Sequence, residues 1–235
     1  MTGKNKISFN LELEESLANS LRRYINQVLI LAIDEVEISK NDSPLYDETV
    51  AHRMGLIPLR SSKAINEKTS GDMKLNSSKE GYVYSGEMKG DFEVVYDKMP
   101  ITLLNKNQEF EIKAKVKSGR GIEHAKFSPG IMFYRDVFDV KVDKDCPEEV
   151  VKICPKKVFS LDKGKVVVES SEKCDMCEVC TEYCKKHKNE SIKITPKSEL
   201  VITVESFGQI TPKEMFEKSI DALKKDLNEL AKKFK

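Results

Sequence analysis

Thr211-Pro212-Lys213-Glu214-Met215-Phe216-Glu217-Lys218-Ser219-Ile220-Asp221-Ala222-Leu223-Lys224-Lys225-Asp226-Leu227-Asn228-Glu229-Leu230-Ala231-Lys232-Lys233-Phe234 holds the pattern that decides the fold. Thr211 is a capping residue, Pro212 takes the first helical position and Glu214 the third, so the start reads as a capping box with proline at N1. From there Phe216, Ile220, Leu223, Leu227, Leu230 and Phe234 recur at steps of four, three, four, three and four. A seam this narrow expects a second helix against it. That helix belongs either to this chain or to a partner subunit.

The candidate within the chain lies near the other end. Leu17, Leu21, Tyr24 and Val28 form one stripe of a helix with Ser16 as its N-cap, a stripe best explained as ordinary core packing. Ile7 to Leu13 before it and Ala32 to Ile38 after it alternate apolar and polar residues, as half-buried strands do. Asp47 to Gly55 reads as a short helix followed by an apolar strand, Leu56 to Leu59, whose Pro58 belongs at an edge or end. His52 lacks a partnered nucleophile or carboxylate pattern and reads as a hydrogen-bonded structural residue. Residues 61–80 look like a solvated loop, and strands are expected at Tyr82–Tyr84, Phe92–Tyr96, Phe110–Val116, Ile131–Val142 and Leu200–Phe207. Gly119-Arg120-Gly121 has neither P-loop nor Rossmann context, so the stretch from Ser118 to Pro129 reads as a tight surface loop.

Between Asp143 and Thr195 the composition turns to cysteine, proline, lysine and glutamate, which marks a small inserted module. Four of the six cysteines, Cys174, Cys177, Cys180 and Cys184, have the C-x2-C-x2-C-x3-C spacing of a ferredoxin half-motif. Cys154-Pro155 resembles the end of a first half, with a hairpin over Val158–Leu161 and Lys165–Val168 in between. One cluster then takes Cys154, Cys174, Cys177 and Cys180. The first half's own ligand positions hold Lys144, Pro147 and Val150, so no second cluster is expected. Cys146 and Cys184 are left as free buried thiols, a pair, or a ligand of something irregular. The spacing favours iron-sulfur, as [4Fe-4S] or its three-iron form [3Fe-4S], over zinc, which usually sits between two knuckles.

The totals narrow the function. Of 235 residues 39% are apolar, enough for a core, while 40 Lys plus Arg against 39 Asp plus Glu leave a net charge of +1 and no global field for nucleic acid or anionic lipid. The start has no apolar signal region, and the aliphatic run Val28–Ile33 is too short to span a bilayer. A cytoplasmic, reducing setting follows, in which clustered cysteines are metal ligands rather than disulfides.

Several stretches together resemble the D-type chains of archaeal DNA-directed RNA polymerase, a family related to the third-largest subunit of eukaryotic RNA polymerase II and to the bacterial alpha N-terminal domain. They are Asn19-Ser20-Leu21-Arg22-Arg23, Val36-Glu37-Ile38, Asp47 to Leu59, and Gly121-Ile122-Glu123-His124-Ala125-Lys126-Phe127-Ser128-Pro129. The resemblance implies an α+β fold: a discontinuous alpha-N-terminal-domain-like dimerisation domain over 1–45 and 196–235, a β-rich assembly domain over 46–142, and a ferredoxin-like iron-sulfur insert over 143–195. It implies a non-catalytic subunit of a nucleotidyltransferase complex that pairs with subunit L through the helices of Leu17, Leu21, Tyr24, Val28, Phe216, Ile220, Leu223, Leu227, Leu230 and Phe234. Subunits N, P and B would dock on that platform, with no base-specific DNA contact and no membrane. A ferredoxin-type electron carrier would leave most of the chain without purpose, and a zinc-stabilised nucleic-acid-binding module lacks a basic, aromatic-interleaved pattern.

Overall fold

The computed structural model describes residues 5–61, 65–188 and 190–234. The leading residues 1–4 and the loop positions 62–64, both read above from sequence, lie outside them. In chain order the elements are β1 (Lys6–Leu11), α1 (Glu15–Tyr24), β2 (Leu29–Asn41), α2 (Asp47–Gly55), β3 (Ser70–Ser77), β4 (Gly81–Tyr84), β5 (Lys89–Gly90), β6 (Pro100–Leu104), β7 (Phe110–Arg120) and β8 (Gly130–Val142). Then follow α3 (Glu149–Ile153), β9 (Phe159–Asp162), β10 (Lys165–Val168), α4 (Val179–Lys186), β11 (Ile192–Ser206) and α5 (Pro212–Lys233). No helix among the described residues is long and apolar enough to cross a membrane.

The chain forms two compact units, one of Met1–Ile7, Asn19–Met132 and Val204–Lys235, the other of Ser8–Ala18 and Phe133–Thr203. In the first, a four-stranded sheet runs in the order β2-β7-β3-β5, with β2 and β7 antiparallel from Leu29 opposite Arg120 to Asn41 opposite Phe110. Strict alternation along β7 shows why: Phe110, Ile112, Ala114 and Val116 are buried, while Glu111, Lys113 and Lys115 face water. The buried set joins Val50 and Met54 of α2 and Ile101 and Leu104 of β6 in one core. On the outer face Lys115 pairs with Glu35 at 2.9 Å, and Asp34 receives Lys117 at 2.7 Å and Lys126 at 2.5 Å. Burial raises the pKa of Asp34, but the hydrogen bonds from Lys117 and Lys126 outweigh it and hold the carboxyl below its usual value.

The second unit carries most of a three-stranded sheet in the order β1-β11-β8 and the hairpin β9-β10. The hairpin forms as expected, its first strand one residue later than read and its second unchanged, and Lys163 and Gly164 both take positive φ, as a two-residue type I′ turn needs. Its core differs in material from the first: Cys146, Cys154, Cys174, Cys180 and Cys184 sit among Phe138, Val140, Val150, Val158, Phe159 and Ile192.

Four expectations need correction. Residues 70–77 form β3 rather than loop, because Met73 and Leu75 alternate into the core beneath a polar composition. Phe92–Tyr96 and Leu56–Leu59 are not strands; they meet in a single bridge, Leu59 to Val94. The first helix begins at Glu15, where the Glu14 carbonyl accepts from Leu17 and Ala18, so Ser16 lies inside it, and it tightens to a 3-10 turn over Ile25–Gln27 before Val28. Ser118–Arg120 complete β7 instead of a surface loop, and Phe127 beyond them is buried against Gly119, where a Cβ would stand 2.8 Å from the ring. The packing division falls at other residues than 45, 142 and 195, the domain boundaries that the resemblance implies.

Candidate functional sites: the closing helix and the cysteine module

The start of α5 is as the sequence implies in one half only. The Thr211 hydroxyl accepts from the Glu214 N–H at 3.2 Å, whereas the Glu214 carboxylate turns forward to Lys218 at 3.0 Å instead of back to the cap. The side that faces the rest of its unit carries Met215 and Ser219, both fully buried. Met215 lies over Gly130, where any Cβ would also meet the backbone of Glu205 and Ser206. The helix packs along the 3-10 turn Ile25–Gln27, and Tyr24 donates its hydroxyl proton to Asp226 at 2.9 Å. That bond, with some desolvation, raises the Tyr24 pKa above its usual value.

The seam is therefore not the face this chain uses. Phe216, Ile220 and Leu223 are half-buried at its rim, while Leu227, Leu230 and Phe234 are 55%, 52% and 85% exposed. Leu21 and Val28, named with the seam from sequence, are 5% and 2% exposed. They are consumed in the chain's own core and have no surface left for a partner. Tyr24 is half-buried, and Leu17 is exposed on the part of α1 that belongs to the second unit.

In the second unit the six cysteines fall into two groups. Cys154, Cys174 and Cys180 are buried and lie near enough to interact electrostatically. Their sulfurs accept backbone N–H bonds: Val158 donates to Cys154 Sγ at 3.5 Å, Met176 to Cys174 and Thr181 to Cys180. Cys177 is exposed between Met176 and Glu178, both at positive φ, so the loop turns sharply on either side of it. Burial pushes the Cys174 thiol up and that of Cys180 up to about 11. Thiolates there need a compensating cation. Cys146 and Cys184 form the other group, free thiols that share Ser191, with Cys184 Sγ 3.7 Å from its hydroxyl.

Among the described residues no three His, Cys, Asp or Glu side chains close on a point as ligands of a single metal ion. A four-thiolate donor set with N–H bonds to its sulfurs is nonetheless the chemistry an iron-sulfur cube asks for. His52 is exposed on α2 and its imidazole makes no hydrogen bond among the described residues, so the side-chain role read for it is not seen.

Residues 36–133 match the RNA polymerase Rpb3/RpoA insert domain family. DNA-directed RNA polymerase subunit Rpo3 of Thermococcus kodakarensis is 33% identical, with 84% of this chain and 81% of that protein covered. Subunit Rpo3 of Archaeoglobus fulgidus is 30% identical over 97% of this chain and 93% of its own length. The chain belongs to the Rpo3 family. The match extends beyond archaea: subunit rpb3 of Dictyostelium discoideum RNA polymerase II is 28% identical over 92% of this chain and 86% of that one. Rpo3 chains are non-catalytic subunits of DNA-directed RNA polymerase, a nucleotidyltransferase complex, and this accords with the absence of a catalytic constellation from the sequence reading.

The insert-domain match runs from within β2 to the start of β8 and so includes β3, β5 and β7 whole and β2 from Val36 on. Sequence reasoning missed Met215 and Ser219 as the inward face of α5. The signal was present in their spacing of four, one position before Phe216 and Ile220, but a methionine and a serine do not announce a core.

Proposed function

We propose that this Rpo3 chain is the assembly platform of its polymerase, pairing with the small subunit L along the exposed half of α5. The observation that carries the reading is the contrast on that helix: Met215 and Ser219 face its own unit, while the regular seam, half-buried at Leu223, runs out into solvent at Leu227, Leu230 and Phe234. An uncovered Leu loses roughly 1.5–3 kcal/mol of burial free energy, so a row of them is retained only where a partner covers it. Subunits N, P and B would join the platform through the β-rich insert domain. The setting is the cytoplasm.

The second part of the proposal is one iron-sulfur cluster, [4Fe-4S] or its three-iron form, held by Cys154, Cys174, Cys177 and Cys180. Supporting it are the cysteine spacing, the N–H bonds to three of the sulfurs and the burial of those three thiols. When bound, the cluster supplies the positive iron centres that keep buried thiolates ionised. The chain's own residues shape the site: the positive-φ positions Met176 and Glu178 turn the loop, and Lys156 pins it through Asp175 at 3.2 Å. Zinc is the alternative metal for the same thiolates.

Co-expression with subunit L tests the platform. A stable complex should form, and Leu223→Asp with Leu227→Asp should abolish it; pairing that survives both charges overturns the reading. Anaerobic purification with iron, acid-labile sulfide and zinc assays tests the cluster. About four irons per chain are expected for a cube, and zinc without sulfide rejects it.

A further inference from the structure

The four cysteines read as cluster ligands differ in what holds them. Cys154 is fixed at the end of α3 and Cys180 in the first turn of α4, and both lie with Cys174 in the core of the second unit. Each of these three sulfurs accepts a backbone N–H: Cys154 from Val158, Cys180 from Thr181 and Cys174 from Met176. Cys177 is outside that core. Every residue from Asp175 to Val179 is exposed, and the Cys177 thiol donates to the Asp175 carboxylate, which is also ion-paired to the exposed Lys156 at 3.2 Å. Exposed pairs of this kind contribute little. On both sides of Cys177 the backbone is left-handed, with φ of 57° at Met176 and 60° at Glu178. Non-glycine residues adopt that conformation under strain, and such positions gather where a segment switches. The turn carrying Cys177 is therefore free to relax without disturbing the helices that hold Cys154 and Cys180.

We propose that Cys177 is the exchangeable ligand of the cysteine module: it holds one iron that a one-electron oxidant releases to solvent, while Cys154, Cys174 and Cys180 keep the other three. This rests on the cluster reading given above and adds an order among its ligands. Solvent exposure and hydrogen bonds to the sulfurs set how readily such a site is oxidised, and both distinguish Cys177 from its three fellows. The balance is simple. A four-iron cube of charge 2+ gives one electron to the oxidant and one ferrous ion to water, which leaves a three-iron cluster of charge 1+. The Cys177 thiolate, relieved of its iron, takes a proton from water and becomes a free, accessible thiol. Ferrous iron with a one-electron reductant reverses each change, so the module responds to oxidants without being destroyed by them.

The test uses the full chain, reconstituted with iron and sulfide under argon and then treated with ferricyanide. Iron should fall from about four to about three per chain with sulfide retained, and the electron paramagnetic resonance signal of an oxidised three-iron cluster should appear. Iodoacetamide followed by peptide mass spectrometry should modify Cys177 in step with the iron lost, while Cys154, Cys174 and Cys180 stay unmodified. Ferrous iron with dithionite should restore the fourth iron and abolish the labelling. Cys177→Ala should bind about three irons from the outset, whereas Cys174→Ala should hold no stable cluster. Modification of Cys174 or Cys180 ahead of Cys177, or loss of all iron and sulfide together with no three-iron stage, overturns the proposal and leaves the cluster reading intact. So does a Cys177→Ala chain that keeps the fourth iron. Uptake of zinc without sulfide by the wild type is the separate failure, since it overturns the cluster reading and this proposal with it.

Discussion

The first two turns of α5 and its last three carry one heptad pattern and meet different fates. Around Pro212–Ser219 the helix is gripped: Met215 and Ser219 are fully buried and Thr211 caps the first turn. Past the half-buried Leu223 the same periodicity points into water at Leu227, Leu230 and Phe234, with Phe234 most exposed of all. The lesson is physical. A 4-3-4 apolar repeat states that a helix has a sticky side, but the side that its own chain covers is set by tertiary packing, here one position away from the repeat.

Substitutions along the helix should separate the halves, beginning with the largest effect. Met215→Ala removes a fully buried side chain over Gly130 and should cost about 2–5 kcal/mol in urea unfolding of the first unit. Thr211→Ala deletes the cap and should cost about 1 kcal/mol, read as reduced thermal stability with early fraying of α5. Tyr24→Phe breaks the hydroxyl bond to Asp226, and its signature is pH dependence rather than size. Because the folded pKa of Tyr24 is raised above 10.0, its contribution is full below pH 10.0 and is lost as pH rises through the folded value. The Phe variant should therefore show a flatter alkaline limb in stability against pH. Smallest is Leu230→Ala, which should change the stability of the isolated chain by no more than about 0.5 kcal/mol while weakening pairing with subunit L. A large loss of stability there would mean that the distal seam is packed within the chain after all.

Much of this was legible in sequence, and unevenly so. β7 could be read because Phe110, Ile112, Ala114 and Val116 alternate without interruption, and the hairpin β9-β10 because Lys163-Gly164 supplies the left-handed pair its turn requires. β3 could not, since Ser70-Gly71-Asp72-Met73-Lys74-Leu75-Asn76-Ser77 has only two apolar residues and gains its strand by pairing to β7. Phe92–Tyr96 shows the reverse, a run with strand composition that finds one bridge partner and no ladder. At the cysteines, spacing suggests one group of ligands, whereas the meeting of Cys146 with Cys184 at Ser191, just before β11, lies beyond any local pattern.

The central claim, that the distal half of α5 is a partner surface and the proximal half is not, is tested most directly by amide hydrogen exchange along this helix with and without subunit L. Residues 223–233 should gain strong protection in the complex, while Met215 to Ser219, already buried, should change little. Unchanged exchange over 223–233 in a complex that nonetheless forms would contradict the account.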